Sequence, residues 1–309
     1  MSEDAFRLLR RTDEPQHHNP EAARQRLQAR TLPPTLHDFQ ASAPSFQIDE
    51  ALETSINMAL AVGAPLLLTG EPGTGKTQVA WYLGWYFGLE VFSYQVRSTS
   101  TAEDMKYTFD AVAYLRNAQS RTEEALPWQQ FLYKQALWLA YDCAMVSVLL
   151  IDEIDKAPRD FPNDLLLELD KHEFRHPLLP EPVRPCCGQP PIVVITSNVE
   201  RRLPDAFLRR CIFHHIALTP ELVHHAVQAR SGDFPALNDA TRAEALKRFW
   251  ELREHPQLQK RPSTAEVLVW LTILSARGVT AAQLRQASLA QLPGIRALVK
   301  DQEDLARLS

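Results

Sequence analysis

The most constraining feature of this sequence is a glycine-rich segment of eight residues. It reads Gly70, Glu71, Pro72, Gly73, Thr74, Gly75, Lys76, Thr77. The segment matches the pattern G-x-x-x-x-G-K-[ST] at every fixed position. Glycines let successive backbone N–H groups face phosphate oxygens, while Lys76 can reach the β- and γ-phosphates and the Thr77 hydroxyl can bind Mg²⁺. We call Gly70–Thr77 the phosphate loop and assign phosphate binding to all eight of its residues.

The residues around the phosphate loop have the periodicity that such a loop requires. Pro65–Thr69 is a short apolar run of buried-strand type, and after Thr77 apolar residues recur at helical spacing, as at Val79 and Leu83. A strand, a glycine loop and a helix in this order place phosphates at a helix N-terminus, where unpaired N–H groups and the helix dipole favour anions. The segment therefore predicts binding of a nucleoside triphosphate with Mg²⁺.

The rest of the chain predicts an α/β fold followed by helices. The strand candidates are Pro65–Thr69, Val91–Val96, Val146–Ile151, Ile192–Thr196 and Cys211–Leu218. Their alternation with helical stretches predicts a five-stranded, mainly parallel P-loop sheet flanked by helices. The helix candidates beyond Pro220 are Glu221–Ala229, Ala240–Leu252, Thr264–Ala276 and Ala281–Leu298. We therefore expect a polar, proline-dotted extension over 1–45, an α/β core over 46–219 and a small all-helical domain over 220–309.

Two carboxylates follow the apolar strand that ends at Ile151. A buried parallel strand delivers its last residues to the sheet edge where the phosphate loop also lies. Asp152 can hold Mg²⁺ there, and Glu153 can polarise a water for attack on the γ-phosphate. A solvated acidic turn is the alternative interpretation. The presence of the phosphate loop favours the catalytic one.

Polar residues also follow the next strand and precede the last one. Asn198 comes directly after Ile192–Ser197, and its neutral amide can position the attacking water without competing for the metal. Arg209 and Arg210 come just before the fifth strand. Arginine suits the charge of a γ-phosphate in its transition state, although this pair could also be solvated surface charge.

The order of these motifs resembles that of an AAA+ ATPase. Walker A corresponds to the phosphate loop, Walker B to 148–153, sensor 1 to Asn198 and the finger motif to 203–211. The amino-acid sequences of residues 151–158 and 203–210 are similar to those of the MoxR branch. The resemblance covers roughly residues 46–275. It implies ATP hydrolysis with Mg²⁺, and it makes the helical domain a lid.

The resemblance also implies roles for particular residues and partners. By analogy with clamp-loader ATPases, Arg210 rather than Arg209 is favoured as the finger. Sensor 2 corresponds to Arg261, beside a helix entry where Ser263 and Glu266 have capping-box spacing. The implied assembly is a homo-oligomer, by family expectation a six-membered ring, that acts on a protein client, in that family often a von Willebrand A domain protein. Segment 98–119 is either a substrate- or pore-facing insert or an ordinary connection.

Composition limits the other classes of function. A formal net charge of -5 and a pI near 6.1, without a basic cluster, disfavour nucleic acid as a partner, so a DNA-linked motor or loader is the second hypothesis. No [NT]-K-x-D motif for guanine is present. No apolar stretch is long enough to span a bilayer, and the N-terminus lacks the pattern of a signal peptide. We therefore expect a soluble, cytoplasmic protein without membrane contact.

Overall fold

A computed structural model describes residues 19–28, 38–119, 126–198 and 200–308. The chain divides into two compact units. One unit comprises residues 48–217, and the other comprises 218–309 together with the residues before 48. Much of the predicted extension 1–45 lies outside the described residues.

The secondary structure alternates between strands and helices in the first unit and is helical in the second. Within the described residues the strands are β1 (Leu66–Gly70), β2 (Val91–Gln95), β3 (Tyr107–Phe109), β4 (Leu132–Lys134), β5 (Val148–Asp152), β6 (Ile192–Ser197) and β7 (Ile212–Ile216). The α-helices there are α1 (Pro20–Gln28), α2 (Phe39–Ser42), α3 (Glu50–Val62), α4 (Lys76–Phe87), α5 (Ala111–Gln119), α6 (Ala136–Asp142), α7 (Phe161–Asp164), α8 (Leu166–Lys171), α9 (Asp205–Leu208), α10 (Pro220–Ala229), α11 (Asp239–Arg253), α12 (Thr264–Arg277), α13 (Ala281–Gln286) and α14 (Gln302–Arg307).

The core of the first unit is a five-stranded sheet in the order β2-β5-β6-β1-β7. Every neighbouring pair is parallel, which confirms the predicted fold class. Helices flank the sheet: α3 packs on β7 and β1, α4 on β5 and β6, and α6 on β2 and β5. Buried parallel strands read as continuous apolar runs rather than alternating ones, and this is why the central strands β1, β5 and β6 could be located in the sequence.

The strand register determines which residues share an edge of the sheet. Gly70 at the end of β1 pairs with Ile216, and Gln95 at the end of β2 pairs with Asp152. Because parallel strands end at the same edge, the phosphate loop after β1 and the carboxylates after β5 lie on one side of the sheet. The predicted convergence of these two motifs follows directly from this topology.

Segment 98–119 leads into a small antiparallel pair. Strand β3 pairs with β4 in the register Tyr107↔Lys134 to Phe109↔Leu132, and helix α5 follows β3. Several apolar side chains here are exposed. They are Phe109, Val112, Leu115 and Tyr133. The segment is thus more than a connecting helix and loop, and it presents apolar surface.

The second unit is helical, as predicted, and packs around α12. Trp270, Leu271 and Leu274 of that helix are fully buried. The prediction of one helix over Ala281–Leu298 is wrong, because α13 ends at Gln286 and two short 3₁₀ turns follow. The chain leaves the helix at Ala287, which is extended. Pro293 and Gly294 interrupt the helical pattern again further on: Gly294 has φ 73°, and the Pro293 carbonyl accepts a 2.7 Å hydrogen bond from Trp270 Nε1.

None of the helices in the described part of the chain is both long and apolar enough to cross a membrane.

Gly84 allows α4 to lie close to the sheet, so its substitution tests this packing. A Cβ at Gly84 would overlap Cγ2 of Val91 and lie 3.1 Å from the Leu89 carbonyl oxygen. We therefore expect Gly84→Ala to lower the free energy of unfolding by about 1–3 kcal/mol, although alanine is the better helix former. Urea unfolding measures the change. Gly232→Ala is the control, because no atom lies within 4 Å of its Cβ position and its effect should stay within about 0.5 kcal/mol.

Candidate nucleotide site

The phosphate loop joins the end of β1 to the start of α4. Gly70 must be glycine, because it has φ 148° and a Cβ there would overlap the backbone oxygen of Ile216. Gly75, at φ 92°, turns the chain into the helix that begins at Lys76. The Thr74 hydroxyl closes the loop with a 2.9 Å hydrogen bond to the Glu71 carbonyl. The loop therefore leads directly into the N-terminus of α4, the kind of position that favours anions.

The three residues at the tip of the loop differ from those below them. Glu71, Pro72 and Gly73 are exposed. Lys76 is buried, and its ammonium donates 2.8 Å hydrogen bonds to the carbonyls of Gly70 and Glu71. Burial lowers the pKa of Lys76, opposed by the negative charges of nearby carboxylates, of which Asp152 acts most strongly. The ammonium thus spans the concave side of the loop, where phosphates bind in loops of this kind.

The Asp152 carboxylate joins the phosphate loop to the sheet. Its Oδ1 accepts a 2.8 Å hydrogen bond from the Thr77 hydroxyl and a 2.7 Å hydrogen bond from the Thr196 hydroxyl. Thr77 and Asp152 provide the hard oxygen atoms that Mg²⁺ prefers, within one hydrogen bond of each other. Among the described residues no group of three or more His, Cys, Asp or Glu side chains could hold a metal ion. With two oxygen ligands from the protein, Thr77 and Asp152 would fit a cation such as Mg²⁺ that takes its other ligands from phosphates and water.

Glu153 lies at the centre of a hydrogen-bond network. Its carboxylate accepts from Lys156 Nζ at 2.6 Å, Gln95 Nε2 at 3.2 Å and Asn198 Nδ2 at 3.3 Å, and its N–H donates to Thr196 Oγ1 at 2.8 Å. Burial raises the pKa of Glu153, but these hydrogen bonds outweigh burial and place the pKa below its usual value. The ionised carboxylate is the form that can accept a proton from water.

The structure thus brings together the predicted Glu153 and Asn198 and adds residues that sequence reasoning missed. No sequence motif singles out Thr196, Gln95 or Lys156. Thr196 and Gln95 are polar residues in the last two positions of β6 and β2, which is the signal that could identify them. Their contacts depend on which strands are neighbours, and the sequence does not specify this order.

The two candidate finger arginines have different surroundings. Arg210 Nε donates to both carboxylate oxygens of Asp170 at 2.8 Å, and Nη1 donates to the Ala206 carbonyl at 2.7 Å. The Arg209 side chain is exposed and makes no hydrogen bond or ion pair within the described residues. The Arg210–Asp170 pair is partly exposed on both sides, so it is worth at most about 1 kcal/mol and can open.

Arg261 belongs to the second unit, where its backbone is fixed on both sides. The buried Asp304 carboxylate accepts from the N–H groups of Gln259 at 3.0 Å and Lys260 at 2.9 Å. Arg253 donates to the Pro262 carbonyl at 2.6 Å. The expected capping box of Ser263 and Glu266 begins α12. The Arg261 side chain itself is exposed, so it projects from a rigid turn.

Residues 65–211 match the family described as AAA domain (dynein-related subfamily). No curated protein matches the chain. Two solved structures are similar to it. NtrX from Brucella abortus in complex with ADP shares 13% identity over 92% of this chain, with a TM-score of 0.48. A candidate ATPase from Cytophaga hutchinsonii shares 12% identity over 89% of this chain and 84% of its own, with a TM-score of 0.40.

The present chain spans 58% of the length of NtrX. At 12–13% identity these two structures say nothing about activity, and the fold itself is given by the parallel sheet described above. The family match covers the phosphate loop, both carboxylates, Asn198 and the two arginines, whereas Arg261 lies outside it. Residues 65–211 are accordingly similar to an AAA domain of the dynein-related subfamily.

Proposed function

We propose that this protein is an ATP-hydrolysing AAA+ ATPase of the MoxR branch that works in a ring and remodels or activates a protein partner. The observation that carries the proposal is the junction at the sheet edge, where Thr77 contacts Asp152 and Asn198 contacts Glu153. These contacts support the proposal, because they join side chains suited to binding phosphates and Mg²⁺ to side chains suited to handling water. A site that only binds nucleotide has no need for the second pair.

The proposed division of labour follows from the chemistry of each side chain. Lys76 and the N–H groups of the phosphate loop bind the phosphate oxygens. Mg²⁺, held by Thr77 and Asp152, would neutralise charge on the phosphates. Glu153 acts as the general base for the attacking water, and the Asn198 amide orients that water.

The network around Glu153 sets a condition for turnover. Oε2 of its carboxylate faces Lys156 and Gln95, and Oε1 faces the Asn198 amide. To take a proton from water, the carboxylate must accept from it at Oε1, where the Asn198 amide occupies one of two acceptor sites among the described residues. The proposed cycle therefore has its water at Oε1, beside the Asn198 amide.

The inter-subunit part of the proposal concerns Arg210. It lies at the entry of β7, far along the chain from the phosphate loop, and the pair with Asp170 can open at little cost. We propose that Arg210 leaves Asp170 and acts on the nucleotide of a neighbouring subunit, and that Arg261 contacts the nucleotide as sensor 2. Arg209 also follows α9 and has no hydrogen-bond or ion-pair partner among the described residues. Arg209 is therefore the alternative finger.

The exposed surface of segment 98–119 supports a protein client. Phe109, Val112 and Leu115 are exposed, and Lys106 nearby is paired with Glu168. An apolar surface suits a polypeptide better than a phosphate backbone. A von Willebrand A domain protein is the kind of client that the MoxR resemblance implies.

Lys76→Ala should abolish binding of ATP, because the lost ammonium contacts the most charged part of the ligand. Fluorescent-ATP binding is the measurement. Lys171→Ala removes an exposed lysine of the same unit and should leave binding unchanged. Unchanged binding by Lys76→Ala would contradict the assignment of the whole site.

Glu153→Gln should keep ATP binding and slow hydrolysis by roughly 10²-fold or more, because the amide cannot accept the proton from water. Phosphate release under saturating ATP measures the rate. Glu173→Gln is the matched control, since Glu173 pairs with Arg184 away from the site and its substitution should leave the rate unchanged. Turnover of Glu153→Gln near the wild-type rate would mean that another group activates the water.

Arg210→Ala should lower hydrolysis by about 10³-fold or more if the arginine acts in trans. Mixing these subunits with Lys76→Ala subunits should raise activity above that of either variant alone, because some interfaces then combine an intact Lys76 with an intact Arg210. Sizing chromatography with a slowly hydrolysed ATP analogue must first show co-assembly.

Arg209→Ala is the matched control for this experiment and should hydrolyse ATP near the wild-type rate. If Arg209→Ala instead complements Lys76→Ala while Arg210→Ala stays active, the finger is Arg209. Co-assembled mixtures that are no more active than either variant alone would refute action between subunits.

A further inference from the structure

Asp155 is a buried carboxylate close to the proposed site that the mechanism above does not use. It lies in the 3₁₀ turn Ile154–Lys156, and only 3% of it is exposed, whereas the next residue, Lys156, is exposed. No lysine, arginine or histidine of the described residues forms an ion pair with it. A buried charge without a neighbouring cation is costly unless hydrogen bonds compensate it. The hydrogen-bond donors that contact Asp155 therefore indicate what the carboxylate does.

The partners of Asp155 are backbone amides of the loop after β6. Both carboxylate oxygens accept from the Asn198 N–H at 3.2 Å, and Oδ2 also accepts from the Glu200 N–H at 2.9 Å. Charge-assisted hydrogen bonds of this kind are stronger than those between neutral groups. Asp155 therefore fixes the backbone at the very residue whose side chain faces Glu153.

The loop and the segment after β5 form a closed set of contacts. Asp155 holds the Asn198 backbone, the Asn198 amide donates to Glu153 at 3.3 Å, and the chain returns from Glu153 to Asp155 in two residues. Thr196 adds a second link, since its hydroxyl accepts from the Glu153 N–H. If the Asp155 contacts are lost, the Asn198 side chain loses the support that aims it at Glu153.

We propose that Asp155 is a positioning residue that acts on ATP hydrolysis through Asn198, an inference that rests on the proposed ATPase function. Asp155 is not the base itself. Both of its oxygens are occupied by amides and buried, whereas Glu153 is partly exposed at the sheet edge. The charge of Asp155 holds the loop after β6 in place. Asn198 and Glu153 therefore keep one arrangement relative to the water.

A double-mutant cycle between Asp155 and Asn198 separates positioning from a purely structural role. The variants are Asp155→Ala, Asp155→Asn, Asn198→Ala and the double variant Asp155→Ala/Asn198→Ala. We measure kcat and KM for ATP, the affinity for a fluorescent ATP analogue, and urea unfolding. Residues that act through one another give non-additive effects, whereas independent residues give additive ones.

If Asp155 acts through Asn198, Asp155→Ala should lower kcat by about 10-fold or more and change KM by less than about 2-fold. The kcat of the double variant should lie within about 3-fold of the kcat of the slower single variant. Asp155→Asn keeps one acceptor oxygen at nearly the same volume, so it should recover part of the lost kcat. If Asp155→Ala does not fold, Asp155→Asn alone and with Asn198→Ala provides the same cycle.

Glu168→Gln is the control for loss of a buried carboxylate. Glu168 is 5% exposed and pairs with Lys106, away from Asn198 and Glu153. When folded, this variant should keep the wild-type kcat. Multiplicative losses in the double variant, a loss that appears in KM alone, or wild-type kcat in Asp155→Asn and Asp155→Ala would each overturn the inference. Absence of hydrolysis in the wild-type protein and in Glu168→Gln would instead overturn the proposed function.

Discussion

The structure of the candidate site depends on one carboxylate, that of Asp152. Hydroxyl groups from Thr77 and Thr196 donate to the same oxygen, so the start of α4, the end of β5 and the end of β6 are joined at a single atom. The next residue, Glu153, adopts the left-handed conformation at φ 60°, which costs a residue other than glycine about 1–2 kcal/mol. The surrounding hydrogen bonds hold it there, and strain of this kind is common where a side chain must be aimed.

Much of the fold could be predicted because the three central strands, β1, β5 and β6, are largely buried and read as apolar runs. The edge strands β2 and β7 are partly exposed and mix apolar with polar residues, yet all five strands could be located in the sequence to within a few residues. Strands β3 and β4 were missed because three residues each, without an apolar run, give no periodic signal. In the second unit the predicted helix after Ala281 was too long, because apolar spacing continues past Pro293 although the backbone cannot.

The residues of the candidate site also divide into those that the sequence locates and those that it does not. The roles of Lys76, Asp152 and Glu153 stay predictions. Their convergence at one edge of the sheet could be predicted, because each belongs to a contiguous motif next to a parallel strand. The network around them could not. Thr196 and Asp155 act across strands and loops, so their roles follow from side-chain direction and strand order, neither of which is written in local spacing. The roles of Arg210 or Arg209 as the finger, and of Asn198 and Arg261 as sensors, also stay predictions.

The contact between Asp304 and the turn at 259–260 has a consequence for the order in which the protein is made. The two backbone N–H groups before Arg261 bond to a side chain that follows them by more than forty residues. A growing chain cannot close this contact until residue 304 has left the ribosome, because contacts between distant residues form only after both have been synthesised. The parallel sheet, complete by residue 216, can assemble well before then. During synthesis, the turn that carries Arg261 therefore gains its Asp304 contacts only after the sheet can form.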